Sequence, residues 1–276
     1  MSDRVAVLAA SIELILVFTG LSFSWRFVLS PSARARRQPS SLPAWDAPVH
    51  EFLLFLFVIL FGAMTAAFIA GGYVDRLAFV GDQVTVLNGT AAQLGMLAGI
   101  GAYRFGFERG RNQPASPTTG VLASGGATFL IALPVLTVTS LAWQELLKRC
   151  GLPAERQDLI EMFAHIDSPM LLVIMITLAI GMAPVTEELL FRAGLFRYFR
   201  TRMPRWLALG APALVFALLH VNWETLEGFA SIAPLMVLAI IFSLAYERTG
   251  RIGTSMVAHA LFNLNTILLI FAGVGI

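Results

Sequence analysis

The sequence predicts an all-α protein, a polytopic transmembrane bundle of about eight helices with a polar cavity open to the cytoplasmic side. Two observations of composition point to a membrane protein. Hydrophobic residues make up 57% of the 276 residues and charged residues only 13%, whereas soluble domains are roughly half apolar and a quarter charged. The apolar residues also form runs that reach the roughly 20 residues a membrane helix needs. The cavity is expected because ionisable residues on three of the later runs lie at similar depth.

Eight apolar runs are long enough to cross a bilayer. The first is longer than the apolar region of a signal peptide and has no obvious cleavage site, so we interpret it as a true span. The third is the weakest because it is rich in glycine, and the fifth is long enough to continue beyond the membrane. The predicted spans are 5–29, 51–70, 88–106, 119–142, 168–199, 206–222, 230–246 and 253–274.

Arginine residues predict the orientation of the bundle, since loops on the cytoplasmic side of a membrane are enriched in Arg and Lys. They gather in the odd-numbered loops, whereas the fourth loop is more acidic than basic. We therefore expect an integral, multi-pass protein of the cell membrane, with both termini on the non-cytoplasmic side and the active site towards the cytoplasm. The clusters are Arg34, Arg36 and Arg37; Arg104, Arg109 and Arg111; Arg197, Arg200, Arg202 and Arg205; and Arg248 with Arg251.

Several classes of function are excluded by the same residues. The single cysteine, Cys150, rules out an internal disulfide and a metal site built from several cysteines. The basic residues lie in short clusters between apolar runs, which is the pattern of membrane topology and not of nucleic-acid binding. The expected partners are the lipid bilayer and a membrane-associated protein or peptide substrate. The pattern leaves the oligomeric state undetermined.

Polar residues inside three predicted spans indicate a buried site. An ionisable side chain at the centre of a bilayer costs upwards of about 2.5 kcal/mol, so each needs a partner or a purpose. A helix rises 1.5 Å per residue, so the distance of each polar residue from the basic edge of its span gives its depth. The polar residues of all three spans lie roughly 12 to 21 Å deep. They are Glu187, Glu188 and Arg192 on the fifth span, His220 on the sixth, and His259 and Asn263 on the eighth.

Helical spacing suggests roles for the residues of the fifth span. Glu188 and Arg192 are four positions apart and therefore share one face, where they can form an intramembrane ion pair. We interpret this pair as structural. Glu187 points in another direction and has no basic residue four positions later, which makes it the free carboxylate and the candidate general base.

The other two spans add two imidazoles and an amide. His259 and Asn263 are also four positions apart, so both can donate hydrogen bonds to a negative charge that develops during a reaction. Phe216 lies one turn before His220 and is expected to shape the pocket around it.

Three motifs, E187-E188-x-x-x-R192, F216-x-x-x-H220 and H259-x-x-x-N263, occur in this order on successive apolar helices. The set resembles the motifs of the CAAX protease and bacteriocin-processing family (CPBP or Abi), intramembrane proteases of the Ras-converting type. The resemblance spans residues 120 to 270. It implies hydrolysis of a peptide bond within the membrane, with Glu187 and His220 activating a water and His259 and Asn263 forming an oxyanion hole.

Alternatives remain at this point. Glu187, His220 and His259 would supply three ligands for a catalytic zinc, but the HExxH pattern is absent and we favour activation of water without a metal. If the protein is not a protease, the alternatives are a non-catalytic immunity or scaffold protein and a proton-coupled transporter. The substrate is open, including whether it carries a CAAX-type or prenylated end. We divide the chain into N-terminal helices without a recognised motif, 1–110, and a protease-like core, 111–276.

Overall fold

The fold is built from the apolar runs, which are helical in the computed structural model of the chain. The model describes residues 3–36, 40, 42–77, 81–107, 119–153, 166, 168–223 and 225–274. These residues form helices joined by turns and contain no strand. The predicted fold class, a polytopic helical bundle, is confirmed.

Nine helices are numbered along the described part of the chain. Two contain π-helical segments, with more than the usual number of residues per turn, and one is preceded by a 3₁₀ turn (Leu226–Ser231). The helices are α1 (Asp3–Ser24, continued by the π-helical Trp25–Leu29), α2 (Pro31–Ala35), α3 (Val49–Leu77), α4 (Asp82–Phe107), α5 (Val121–Arg149), α6 (Pro169–Arg202), α7 (Arg205–Leu219), α8 (Ile232–Thr249) and α9 (Ile252–Ala272).

Seven helices of the described chain are long and apolar enough to cross a membrane, and α7 is the short eighth. With 15 residues, α7 is about 22 Å long and falls short of a hydrocarbon core of about 30 Å. The prediction of a span over 206–222 is therefore wrong at its C-terminal end. The backbone N–H of His220 bonds to the Ala217 carbonyl, three residues back, and this tighter turn ends the helix. His220 thus lies at a helix end and not within a helix.

Small residues bring the N-terminal helices into close contact. A Cβ atom added to Gly95 of α4 would overlap the Gly62 carbonyl of α3, and one added to Gly99 would lie 2.6 Å from the Val58 carbonyl oxygen. Gly20 of α1 lies against the Leu130 carbonyl of α5 in the same way. Backbones can approach this closely only where no side chain intervenes, which is the usual role of glycine in membrane helix pairs.

The arginine clusters meet at one end of the bundle, which we call the arginine face. Glu247 near the end of α8 binds Arg200 and Arg205, with nitrogen-to-oxygen distances of 2.7 Å in both pairs. Arg197 donates to the carbonyl oxygen of Pro43 at 2.9 Å, which fastens the segment before α3 to α6. The described arginines of this face are Arg34, Arg36, Arg104, Arg197, Arg200, Arg202, Arg205, Arg248 and Arg251.

The other end of the bundle, which we call the opposite face, contains the ends of α5 and α7, the start of α6 and the end of α9. Parts of the orientation prediction lie outside the described residues, namely Arg37, Arg109, Arg111 and most of the fourth loop. The predicted boundary between residues 110 and 111 lies there as well, so the division into two parts stays a prediction.

Candidate active site

A buried charge network joins α6 to α9. The Glu188 side chain is fully buried, and its Oε1 lies 2.9 Å from Arg192 Nη1 and 2.9 Å from His259 Nδ1. Because Glu188 is the acceptor, the His259 Nδ1 must carry the proton of this hydrogen bond. The carboxylate therefore fixes both the orientation and the tautomer of the imidazole, in addition to pairing with Arg192.

Aromatic rings enclose the guanidinium of Arg192. Its central carbon lies 4.7 Å from the centroid of Phe216 and 5.4 Å from that of Phe242, within the range of cation–π attraction. Phe242 also packs against the His259 ring, with centroids 5.2 Å apart. Phe216 thus contacts the site from α7, and Phe242 of α8 is a contributor that the sequence motifs did not identify.

Glu187 faces both imidazoles. Its Oε2 lies 3.7 Å from His220 Nε2 and 3.8 Å from His259 Nε2. Although α7 is short, it ends where His220 can reach this position. The Nδ1 of His220 lies 2.7 Å from the Phe216 carbonyl oxygen. Because this oxygen can only accept a hydrogen bond, Nδ1 carries the proton of the neutral ring and Nε2 is the free nitrogen. Three helices meet at Glu187, as the motifs predict, and Asn263 lies one turn further along α9.

These contacts leave three hydrogen-bond acceptors around one small space. In their neutral forms both imidazoles have an unprotonated Nε2 turned to Glu187, and Glu187 Oε2 is buried without a hydrogen-bond partner. A buried carboxylate oxygen without a donor is costly. The arrangement therefore calls for a donor between the three groups, either a water molecule or a proton on one of them.

Pro184 explains the irregular shape of α6 just before Glu187. Residues Leu178–Met182 are π-helical, and the N–H of Ala183 bonds to Leu178 O. The carbonyl of Ala179 thereby loses its α-helical donor, and Pro184, which has no N–H, cannot replace it. Asn263 Nδ2 donates to this carbonyl at 2.7 Å. One N–H of the predicted oxyanion donor thus stabilises the irregular turn, and its second N–H is available for the site.

Gln93 and Thr186 are two further residues at the site that the motifs did not identify. Thr186 is fully buried beside Glu187 in the chain, and its hydroxyl donates to Gln93 Oε1 of α4. Gln93 is a polar residue in the otherwise apolar stretch A91-A-Q-L-G-M-L97, and an amide inside a membrane helix is itself a signal of a buried polar site. The N-terminal helices therefore contribute to the site.

The candidate residues line a cavity of about 520 Å³. Its walls come from α4, α6, α7, α8 and α9 and are mostly apolar. The sequence predicted a cavity open to the cytoplasmic side, and this side stays a prediction. Most of the lining residues come from the helix halves remote from the arginines. The polar residues of the lining are Thr85, Gln93, Glu187, His220, Asn222, Glu227, Ser231, His259, Asn263 and Thr266.

A zinc site was the alternative interpretation of Glu187, His220 and His259. Among the described residues, no group of three or more His, Cys, Asp or Glu side chains has the arrangement of a metal site. Activation of water without a metal stays a prediction.

Comparison with known proteins supports the resemblance. Residues 169–265 match the family model of type II CAAX prenyl endopeptidases, Rce1-like. The matched region contains all three motifs, from Glu187 to Asn263. The family resemblance predicted from the motifs is confirmed over this part of the chain.

Two curated proteins are similar over shorter lengths. An "Uncharacterized 24.3 kDa protein" of Escherichia coli is 28% identical over 145 residues, which are 52% of this chain and 64% of that protein. The "UPF0177 protein YbdI" of Lactococcus lactis subsp. lactis (strain IL1403) is 29% identical over 93 residues, 33% of this chain and 46% of that protein. The chain thus spans about half to two thirds of the relatives it matches. No solved structure matches the chain.

Proposed function

We propose that the protein is an intramembrane endopeptidase that hydrolyses a peptide bond of a membrane-associated protein or peptide. The observation that carries this proposal is the position of Glu187, whose Oε2 lies 3.7 and 3.8 Å from the Nε2 atoms of two histidines on other helices. A carboxylate beside two imidazoles is suited to general acid and base chemistry on a bound water. The family match over residues 169–265 supports the same activity.

Charge balance supports a proton shared within the site. Glu187 and Glu188 carry two negative charges, and Arg192 compensates one of them. No Lys or Arg is among the described residues that line the cavity. A net charge is costly inside a membrane, so one added proton, shared by Glu187 and the imidazoles of His220 and His259, makes the site neutral. An acid and a base are then present together.

Hydrolysis follows from these groups. Glu187 takes a proton from the water as its oxygen bonds to the carbonyl carbon, and His220 orients that water. The negative charge on the carbonyl oxygen is stabilised by Nε2–H of a protonated His259 and by the second N–H of Asn263. Glu187 then passes the proton that it took from the water to Nε2 of His220. The C–N bond breaks as the leaving amine takes this proton from His220, and the other fragment leaves as a carboxylic acid.

The decisive experiment replaces Glu187 by glutamine, which keeps the size of the side chain and removes the base. We expect cleavage to fall by about 10²- to 10⁴-fold, the usual contribution of a general base. Membrane peptides from cells that express either form, compared by mass spectrometry, provide the measurement. Purified protein that keeps its activity after exhaustive chelation would support a metal-free mechanism, and loss that zinc restores would overturn it.

Glu145→Gln is the matched control for this substitution. Glu145 is an exposed glutamate near the end of α5 and pairs with the exposed Arg149 at 2.8 Å. We expect this variant to leave the membrane peptides unchanged. If the Glu187→Gln variant, expressed at the same level and equally folded, also gives the wild-type pattern, the protein is not a protease that uses Glu187.

A further inference from the structure

The cavity around Glu187 extends in one direction only. In each of the five helices that line it, most of the lining residues belong to the half remote from the arginine face, and Glu187 and His259 lie near the middle of α6 and α9. Examples of the remote lining residues are Thr85 in α4, whose last turn contains Arg104, and Met175 in α6, which ends with Arg202. In α8 the lining ends with Leu238, ten residues before Arg248. The cavity therefore leads from the middle of the bundle to the opposite face.

Packed side chains close the other direction. Beyond Glu187, the side chains of Phe191 and Phe196 in α6 are buried, and Phe196 is completely inaccessible. Tyr198 stacks on Phe52 with ring centroids 3.8 Å apart. Arg202 donates to the carbonyl of Trp45 at 2.8 Å, which holds the segment before α3 across this end. A polypeptide cannot reach Glu187 from the arginine face without unpacking this layer.

We propose that the substrate reaches Glu187 from the opposite face, which the positive-inside rule places outside the cytoplasm. This inference rests on the proposed function, because it calls the bound peptide a substrate. The direction from which a molecule can reach Glu187 does not depend on catalysis. It assigns the enzyme a substrate segment exposed on the extracytoplasmic side of the membrane. A prenylated C-terminal tail of a cytoplasmic protein would lie on the wrong side.

The lining defines the chemistry of that segment. Apolar walls formed by Met175, Leu178 and Phe262 suit apolar side chains. Glu227 lies on the 3₁₀ turn towards the opposite face, and the part of the lining that the structure describes contains no Lys or Arg beside it. A segment that is apolar with a neutral or basic group is therefore favoured over an acidic one, because a second carboxylate would meet Glu227 without a counter-ion.

Cysteine accessibility in intact cells tests the direction of access. The native cysteine, Cys150, is exposed at the end of α5 on the opposite face, and a membrane-impermeant maleimide should label it without permeabilisation. In a Cys150→Ser background, Ser231→Cys places a near-isosteric thiol in the cavity lining. We expect an impermeant cationic methanethiosulfonate to modify it in intact cells. Ser32→Cys, exposed on the arginine face, is the matched control and should react only after permeabilisation.

Each outcome decides the proposal. Modification of Ser231→Cys only after permeabilisation, or in neither condition, would overturn it, and so would labelling of Ser32→Cys in intact cells. The charge of the cavity is tested by the rates at which the cationic reagent and its anionic sulfonate counterpart modify Ser231→Cys. We expect the ratio of the cationic to the anionic rate to fall roughly two- to tenfold when Glu227→Gln is added. An unchanged ratio would contradict the role of Glu227. Labelling that is identical in a Glu187→Gln background separates this test from that of the protease activity.

Discussion

Glu188 and Arg192 form an ion pair that orients the imidazole of His259 more than it stabilises the fold. Both side chains are buried, and three of their atoms, Glu188 Oε2 and both Nη atoms of Arg192, have no hydrogen-bond partner among the described residues. Pairs of this kind often contribute little net stability, because burial removes both charges from water. What the pair does supply is a fixed acceptor for the Nδ1 proton of His259, 2.9 Å away.

Removing one member of the pair is nevertheless expensive, which gives a prediction. Glu188→Gln leaves the guanidinium of Arg192 buried without a counter-charge, and we expect the free energy of unfolding to fall by about 3–5 kcal/mol. Glu145→Gln breaks an exposed Glu–Arg pair with the same spacing of four residues. We expect this substitution to lower the free energy of unfolding by about 0–1 kcal/mol. Equilibrium unfolding in detergent micelles measures both, and equal costs would contradict the burial argument.

The irregular turn of α6 is the feature of an element that most affects the site. Pro184 removes an N–H, the π-helical turn before it redirects the helix, and Asn263 supplies the missing donor to Ala179. Glu187 follows three residues after Pro184, so its direction depends on this turn. Such π-helical insertions are frequent at functional sites.

A double-mutant cycle tests the link between Pro184 and Asn263. Asn263→Ala leaves the Ala179 carbonyl without a donor, and we expect a loss of about 1–3 kcal/mol in the free energy of unfolding. Pro184→Ala restores an N–H that can reach the same carbonyl, so Asn263→Ala should cost much less in that background. If the cost is the same in both backgrounds, Asn263 does not act through Ala179.

The sequence predicted the helices better than it predicted their internal geometry. Hydropathy located each span to within a few residues because length and apolarity are set by the bilayer itself. It extended α7 through residue 222, since His220 and Val221 do not interrupt an apolar pattern. Counting positions on a regular helix gave the Glu188–Arg192 pair, but neither the π-helical turns nor the backbone partner of Asn263 has a sequence signal of comparable strength.

At the level of the whole molecule, the direction of the cavity was the main feature that the sequence did not predict. Counting residues inwards from the arginines gives the depth of Glu187, and a group near the middle of the membrane is almost equally far from both faces. Packing decides which side is open. The buried aromatic residues on one side, such as Phe191 and Phe196, and the apolar lining on the other side become visible only in the assembled bundle.

The N-terminal helices contribute to the site, although the family match begins at residue 169, because α4 lines the cavity and makes a hydrogen bond next to Glu187. Thr186 donates to Gln93 of α4, and Thr186 precedes Glu187 directly. We therefore expect Gln93→Leu to shift Glu187 and to lower cleavage by roughly 10- to 100-fold, as small displacements of catalytic groups do. Thr90→Val, on the same helix and outside the cavity lining, is the control and should retain activity.

The partner substitution makes this prediction specific to the bond. Thr186→Val should reduce cleavage to a similar extent, and the double variant of Gln93 and Thr186 should be no worse than either single one, because both changes remove the same interaction. Rates of product formation in membranes of equal protein content provide the measurement. If the two losses multiply, each residue acts independently, and α4 then contributes to the cavity wall without positioning Glu187.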